Sequence, residues 1–138
     1  MEPKTFISHH LVKSEDLNHH KTLYAGRSAE WFVEAGFIAA ASLVKPENIV
    51  CLRIHGMTFT APAHAGDIVR YESKVILSGR TKLVAYICVV NREKKVVEGF
   101  ITFIHVDQNG SPVPHQIEII PVSAEDIELN KQAELLFK

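Results

Sequence analysis

The sequence lacks the features that mark disulfide-rich, nucleic-acid-binding, repetitive or disordered proteins. It contains only 2 cysteines in 138 residues, which is too few for a disulfide scaffold. Lys and Arg together number 15 and Asp and Glu 16, so no charge field of one sign points to nucleic acid or to an acidic tail. Internal repeats, low-complexity stretches and Gly/Ser linkers are also lacking. We therefore expect one domain over residues 1–138.

Long hydrophobic runs are lacking as well. No apolar stretch approaches the about 20 residues that a membrane-spanning helix needs. The first ten residues, MEPKTFISHH, have no apolar centre of the kind found in signal peptides. Cys51 and Cys88 lie in the apolar runs IVCL and YICVV, and we predict that both are small buried core residues in a reducing compartment. The expectation is a cytoplasmic protein with neither a membrane nor a nucleic acid as partner.

One helical pattern stands out near the N-terminus. Residues 26–44, GRSAEWFVEAGFIAAASLV, are apolar almost all round and are followed by Lys45-Pro46, which predicts a buried helix. Gly36 within it predicts that another element packs closely there, because glycine is otherwise unfavourable inside a helix. A second, short helix is predicted in the tail, 122–138, where Ser123 and Asp126 resemble a capping box.

The rest of the chain has the composition of strands and turns. Strands are predicted at 4–12, 49–60, 68–78, 81–91 and 96–107, with a loop at 13–25 and turns at 61–67, 79–80, 92–95 and 108–111. In 68–78, Val69, Tyr71, Ser73 and Val75 alternate with Arg70, Glu72 and Lys74. One sheet around one helix is an α+β architecture. Its open edges favour an oligomer in which sheets extend edge to edge.

Five short motifs occur in order across residues 12–114. They are DLNHHKTLYAG before and into the helix, EWFVEA within it, FTAPAHAGD between strands, GRT in a turn, and FIHVDQNG at a strand end. Each is weak alone, but in this order and spacing they resemble the acyl-CoA thioesterase branch of the hot-dog superfamily. The resemblance implies a hot-dog fold, an antiparallel sheet wrapped around one long central helix. Pro62 and Gly66-Asp67 would then be structural, in a bulge and a turn.

The same resemblance implies a function. It implies hydrolysis of an acyl-CoA to the free acid and CoA, without a cofactor, at a site between two protomers. The expected assembly is a dimer or a trimer of dimers. A thioesterase must polarise the thioester carbonyl, and the free N–H groups of a helix N-terminus can do so. Gly26 lies where the helix begins and admits a close approach, although a tight turn would explain it equally.

A carboxylate is needed to activate the attacking water. Glu34 lies within the apolar helix, where an unpaired carboxylate is costly to bury, and is therefore our catalytic candidate. Glu30 shares its face but lies in the first turn, where a solvated acid is favoured by the helix dipole. Relatives usually carry an aspartate immediately before Glu34, where this chain has Val33. Either Glu34 takes that role or the usual acid has been lost.

The remaining candidates lie in loops. The resemblance implies that Asn18 orients the water or the thioester, whereas a loop Asx turn is the simpler interpretation. His20 and Thr81 are assigned to substrate binding, and Arg80 or, more weakly, Arg27 to the CoA phosphates, which an arginine fork binds well. His19-His20 predicts no metal site, because neighbours on an extended loop point in opposite directions and spacing supplies no third ligand.

Two other functions compete with hydrolysis. Val33 in place of the usual acid favours a non-catalytic hot-dog protein that binds acyl-CoA as a ligand sensor. A hot-dog dehydratase or hydratase is less favoured, because its helix-borne Asp/His arrangement is not found in the sequence.

Overall fold

A five-stranded antiparallel sheet forms the frame of the protein. The computed structural model describes residues 1–138 and assigns strands β1 (Phe6–Leu11), β2 (Ile49–Ile54), β3 (Ile68–Ser78), β4 (Lys82–Asn91) and β5 (Lys94–His105), with helices α1 (Ala25–Ala41) and α2 (Ala124–Leu135). Short 3-10 turns at Ser14–Asp16 and Pro46–Asn48 precede α1 and β2. The strands lie side by side in the order β1-β3-β4-β5-β2. The predicted α+β arrangement, one sheet around one central helix, is confirmed.

Helix α1 packs one face against the sheet. Phe32, Ala35 and Ala39 are almost completely buried, at the spacing of a single helix face. Burying a side chain the size of Phe32 contributes roughly 1.5–3 kcal/mol. Gly36 lies on the same face, and a Cβ there would come within 3.1 Å of the Ile87 side chain. The close contact predicted from Gly36 is therefore confirmed.

Strand β3 shows why the sequence alternates. Val69 and Val75 are buried on the side of α1, whereas Arg70 and Lys74 are partly exposed on the other side, as predicted. A β-bulge follows Val75 and turns Ile76 to the outer side of the sheet. Ile76 is completely buried there because α2 covers it.

The connection from β2 to β3 differs from the predicted strand at 49–60, which ends early at Ile54. Gly56 takes a positive φ of 108°, which few other residues adopt, and turns the chain out of the ladder. The segment still follows β5, since Thr60 donates its backbone N–H to the Val96 carbonyl at 3.0 Å. The Gly56 carbonyl oxygen lies 2.3 Å from where a Cβ on Gly99 would stand. Only glycine fits at position 99.

The loop between this connection and β3 is held by the buried carboxylate of Asp67. It accepts hydrogen bonds from the His64 backbone N–H at 2.9 Å, from Asn91 Nδ2 at 3.0 Å and from Arg92 Nη2 at 2.8 Å. The His64 hydrogen bond, with the further bonds from Asn91 and Arg92, lowers the pKa of Asp67 to about 2. These bonds support the structural role expected for Gly66-Asp67.

Helix α2 lies on the outer side of the sheet. It begins at Ser123, whose hydroxyl accepts from the Asp126 backbone N–H at 3.1 Å, the N-cap contact expected from the sequence. Leu129 and Ala133 pack on the outer side chains of β3 and β4. Asn130 Nδ2 donates to the Ile76 carbonyl at 2.9 Å and fixes the helix to the strand.

Two expectations about burial are wrong. Helix α1 is not buried all round, because it has the sheet on one side only and exposes Glu30, Glu34 and Ile38 on the other. Cys51 is exposed rather than buried, because β2 is an edge strand; Cys88 is half-buried, and both thiols are free.

Helix α1 also ends at Ala41, three residues before the predicted Val44. Neither helix is long and apolar enough to cross a membrane.

The contact between Gly99 and Gly56 yields a prediction about stability. Gly99→Ala should lower the free energy of unfolding by about 1–3 kcal/mol, because its Cβ overlaps a backbone oxygen that a rotamer change cannot move. Urea unfolding followed by circular dichroism would measure it. Gly79→Ala is the control, since its Cβ would meet only the flexible Lys82 side chain. Equal losses in the two variants would contradict the prediction.

Candidate functional site

The outward face of α1 forms a shallow, open concavity. It is bounded by side chains that recur every three or four residues along the helix, namely Gly26, Ala29, Glu30, Val33, Glu34 and Phe37, and it encloses about 550 Å³. Apolar and carboxylate side chains alternate on this surface. The structure thus brings two of the predicted catalytic residues, Gly26 and Glu34, to one surface.

The N-terminal end of α1 carries hydrogen-bond donors without side-chain acceptors. Tyr24 is the N-cap residue, and no side chain caps the helix there. The first-turn N–H groups of Ala25 and Gly26 therefore remain available to an external acceptor, aided by the positive end of the helix dipole. The Tyr24 ring lies over Gly26, and a Cβ at that position would clash with the ring. The contact with Tyr24 therefore gives a structural reason for a glycine at position 26.

Glu34 is exposed, not buried as the sequence analysis expects. Its side chain is 60% exposed, because it projects from the face of α1 that points away from the sheet. Its Oε1 lies 3.9 Å from Nε2 of His10, which is on β1. Burial therefore does not distinguish Glu34 from the other carboxylates of the chain. Its distinguishing feature is the neighbouring imidazole of His10.

His10 is held between aromatic rings. It stacks on Trp31 with centroids 4.3 Å apart and planes at 7°, and it meets the Tyr71 ring edge-on at 5.4 Å. The Tyr71 hydroxyl shares a hydrogen bond with Ser28 Oγ at 3.1 Å. Burial lowers the pKa of His10, an effect that the nearby Glu34 carboxylate partly offsets.

Asn18 organises its own loop. Its Oδ1 accepts from the backbone N–H groups of His20 at 2.8 Å and Thr22 at 3.2 Å, the pattern of an Asx turn. Lys21, with a positive φ of 63°, completes the turn. Because the chain turns here, the rings of His19 and His20 lie 3.9 Å apart, and the expectation that they point in opposite directions is wrong.

A second, largely apolar cavity of about 310 Å³ lies on the other side of the helix N-terminus. Asn18, Ala25 and Ser28 form one wall, and the segment from Phe59 to Ala63 forms another. Branched apolar side chains from β3, β4 and β5 line the rest, namely Val69, Val89, Val96 and Val97. Asn18 therefore borders a different cavity from the one that Gly26 and Glu34 share.

Arg27 is occupied by carboxylates of its own chain. Its Nε lies 3.3 Å from Asp16 Oδ1, and its Nη1 lies 3.6 Å from Glu30 Oε2. Asp16 is only 3% exposed and also accepts from the Lys13 backbone N–H at 2.9 Å. A buried carboxylate needs such partners, so this contact gives Arg27 a structural role.

Arg80 and Thr81 lie in the turn between β3 and β4 and border neither cavity. The Thr81 carbonyl accepts from the His105 backbone N–H at 2.7 Å, and the Arg80 carbonyl accepts from the His115 N–H at 3.3 Å. The Arg80 side chain is exposed and forms no ion pair. No group of three or more His, Cys, Asp or Glu side chains is arranged to hold a metal ion.

The assignments of Asn18, His20, Gly26, Arg27, Glu34, Arg80 and Thr81 to catalysis and binding remain predictions. His10 was not among the residues predicted from the sequence. The alternation in β1 was the available signal, because Phe6, Ser8 and His10 share one face of the strand and Ile7, His9 and Leu11 the other. The pairing with Glu34 comes from the packing of α1 and could not be read from spacing.

Comparisons with known proteins give the chain its class. The family model of the thioesterase superfamily matches residues 20–98. The uncharacterized acyl-CoA thioester hydrolase YkhA of Bacillus subtilis is 27% identical over 124 residues, which are 86% of this chain and 71% of that protein. The crystal structure of an acyl-CoA hydrolase from Bacillus cereus superposes with a TM-score of 0.88 and 28% identity, covering 96% of this chain and 83% of that one.

A second similar structure is that of an apo-hexameric acyl-CoA thioesterase. It has a TM-score of 0.88 and 26% identity, covering 95% of this chain and 86% of that chain. The matched residues include all of α1, β2, β3 and β4, and among these α1, β3 and β4 border the two cavities. The chain belongs to the thioesterase superfamily, and the hot-dog fold implied by its sequence motifs is confirmed.

The contact between Arg27 and Asp16 can be tested by stability. Arg27→Ala should cost about 1–3 kcal/mol of unfolding free energy, because it leaves the buried Asp16 carboxylate without its closest cation. Urea denaturation at neutral pH would measure the loss. Arg80→Ala is the control and should stay within about 0.5 kcal/mol of the wild type, since its side chain is exposed and unpaired. An equal loss from both substitutions would argue against a structural role for Arg27.

Proposed function

We propose that the protein hydrolyses acyl-CoA thioesters to the free acid and CoA. The observation that carries the proposal is the outward face of α1, where unsatisfied first-turn N–H groups and the Glu34 carboxylate lie on one apolar surface. The family and the similar acyl-CoA hydrolases support this chemistry. No cofactor is needed, because water is the second substrate.

The reaction divides into two tasks. The N–H groups of Ala25 and Gly26 donate to the thioester oxygen and stabilise the negative charge that develops when water attacks the carbonyl carbon. Glu34 accepts a proton from that water as the new C–O bond forms. The tetrahedral intermediate then collapses, the C–S bond breaks, and the CoA thiolate leaves and is protonated.

The two tasks cannot be done by one helix alone. Gly26 and Glu34 are eight residues apart, which is about 12 Å along the helix axis at 1.5 Å per residue. A thioester carbon held at Gly26 is therefore out of reach of Glu34 on the same chain. We infer that the site forms between protomers, with the Gly26 end of one α1 facing Glu34 of the partner subunit.

Edge strand β2 is the proposed dimer contact. Its large apolar side chains are exposed, with Val50 at 48%, Leu52 at 64% and Ile54 at 42%. An unpaired edge with such side chains is suited to pairing with a second copy. A two-fold axis at this edge would extend the sheet and bring the two α1 helices close together. A trimer of such dimers would form a hexamer, the assembly of one similar thioesterase.

We assign the CoA phosphates to Arg80 rather than Arg27. Arg80 is exposed and free of ion pairs, whereas Arg27 is engaged by Asp16 and Glu30. A free guanidinium can bind a phosphate through two parallel hydrogen bonds. Thr81 and His20 remain secondary candidates for contacts with the substrate.

The alternative function is a non-catalytic binder of acyl-CoA. It is favoured by Val33, which stands where the family resemblance implies an acid and lies on the concavity beside Glu34. Such a protein would bind acyl-CoA saturably without turning it over. The following experiment separates the two functions.

Release of free thiol from a panel of acyl-CoAs, from acetyl to palmitoyl, should be measured for the wild type and Glu34→Ala. We expect turnover by the wild type and a loss of about 100-fold in the variant, since a general base typically contributes that much. Glu30→Ala, one turn earlier on the same face, should retain turnover within a few-fold. Binding without turnover at every chain length would favour the ligand sensor, and survival of turnover in Glu34→Ala would move the base elsewhere.

Association through β2 makes a separate prediction. Leu52→Lys should convert the oligomer to a single chain by light scattering and abolish most of the turnover, because a charged edge opposes strand pairing. Ile7→Lys, at a similarly exposed site on the opposite edge strand, is the control for the dimer contact and should still give a species of at least two chains. Loss of assembly in Ile7→Lys but not in Leu52→Lys would place the interface at β1.

A further inference from the structure

One ring nitrogen of His10 has no partner. The Nε2 atom is buried from solvent and forms no hydrogen bond, although the side chain as a whole is 23% exposed. The nearest carboxylate oxygen is Oε1 of Glu34 at 3.9 Å. A buried polar atom that lacks a partner is unusual and calls for an explanation.

The plane of the His10 ring is fixed by its aromatic neighbours. Trp31 stacks parallel to it, Tyr71 closes its edge, and Tyr71 is in turn held by Ser28. Glu34 is the mobile member of the pair, because its side chain is 60% exposed. A rotamer change of Glu34 can shorten 3.9 Å to hydrogen-bond distance, whereas a movement of His10 would break the stack.

Burial favours the neutral form of the His10 imidazole. Burial lowers its pKa, Lys13 and His9 add to that effect, and Glu34 on α1 and Asp16 on the 3-10 turn oppose it. Tyr71, the other titratable neighbour, has its pKa raised to about 12 by burial and carries no charge at neutral pH. A neutral imidazole still donates one N–H, and the unpartnered Nε2 is available to donate it.

We propose that His10 is a positioning residue for Glu34, donating from Nε2 to the carboxylate and holding it over the outward face of α1. This inference rests on the proposed function, in which Glu34 is the general base. A carboxylate on an exposed side chain would otherwise sample many directions, and an aligned base requires it to keep one. The other carboxylate oxygen remains free to accept the proton of water.

The pairing can be tested without activity, because Trp31 is the only tryptophan in the chain. A protonated imidazole quenches a stacked indole more strongly than a neutral one, so Trp31 emission reports the titration of His10. Between about pH 4.5 and pH 8 we expect one transition, with a midpoint below the ordinary histidine value of about 6.5. His10→Gln should abolish the transition and thereby assign it.

Removing the partner charge should move that midpoint. Glu34→Gln is expected to lower it by roughly 0.3–1 pH units, because the carboxylate that favours the imidazolium is lost. Glu30→Gln is the matched control: it removes an equally exposed carboxylate that does not contact His10, and the midpoint should not move. A wild-type midpoint in Glu34→Gln would overturn the pairing.

Two substitutions at His10 test the positioning. His10→Phe keeps a ring against Trp31 but removes the donor, and kcat should fall roughly tenfold with little change in KM. His10→Gln retains an N–H donor at nearly the same point and should recover most of that loss. Equal kcat in His10→Phe and the wild type, with Glu34→Gln inactive, would overturn the role of His10 alone.

A failure of the proposed function can be distinguished from a failure of the role proposed for His10. Full turnover by Glu34→Gln would remove the general base on which the inference rests, and the role of His10 with it. Circular dichroism of each variant establishes that a loss of kcat is not a loss of fold. Equal losses in His10→Phe and His10→Gln would show that an N–H donor at this position does not restore kcat, which also overturns the inference.

Discussion

A helix that lies on one side of a sheet can bury only one of its faces, and this constraint governs the rest of the molecule. The face of α1 with Phe32, Ala35 and Ala39 is committed to the core, so the opposite face, with Gly26 and Glu34, is left to meet something outside the protomer. The sheet has the same property, since β2 ends it with an unpaired, apolar edge. The two exposed surfaces together support the proposed placement of the site between protomers.

The elements that local patterns determine were predictable from the sequence. Strand β3 alternates in composition and in burial, and Ser123 starts α2 as its side chain requires. The end of β2 was not predictable in the same way. Its composition continues to favour a strand after Ile54, but the positive φ of Gly56 turns the chain out of the ladder, and the close contact of the Gly56 carbonyl with Gly99 is non-local. The neighbour relation of β2 and β5 likewise depends on tertiary packing.

Helix periodicity predicted the part of the candidate site that lies on one face of α1, and no other sequence pattern predicted the rest. The spacing of Glu30 and Glu34 put both on one face, and the structure keeps them there, together with Gly26. Burial of Glu34 was inferred from apolar neighbours in sequence, but those neighbours point to other sides of the helix. The His10 contact joins residues 24 positions apart and requires the register of β1 on β3, which no local pattern contains.

The position of α2 restricts how dimers could stack into a larger ring. The helix covers the outer side of the sheet over Ile76, Val84 and Tyr86, and that area is closed to another subunit. The outer surface that stays uncovered lies toward β1, where Ile7, Leu11 and Ile68 are each at least half exposed. In the proposed stack of dimers, the tail would lie between neighbouring dimers as a spacer. A relative with a shorter tail could share this fold and still pack its dimers at a different angle.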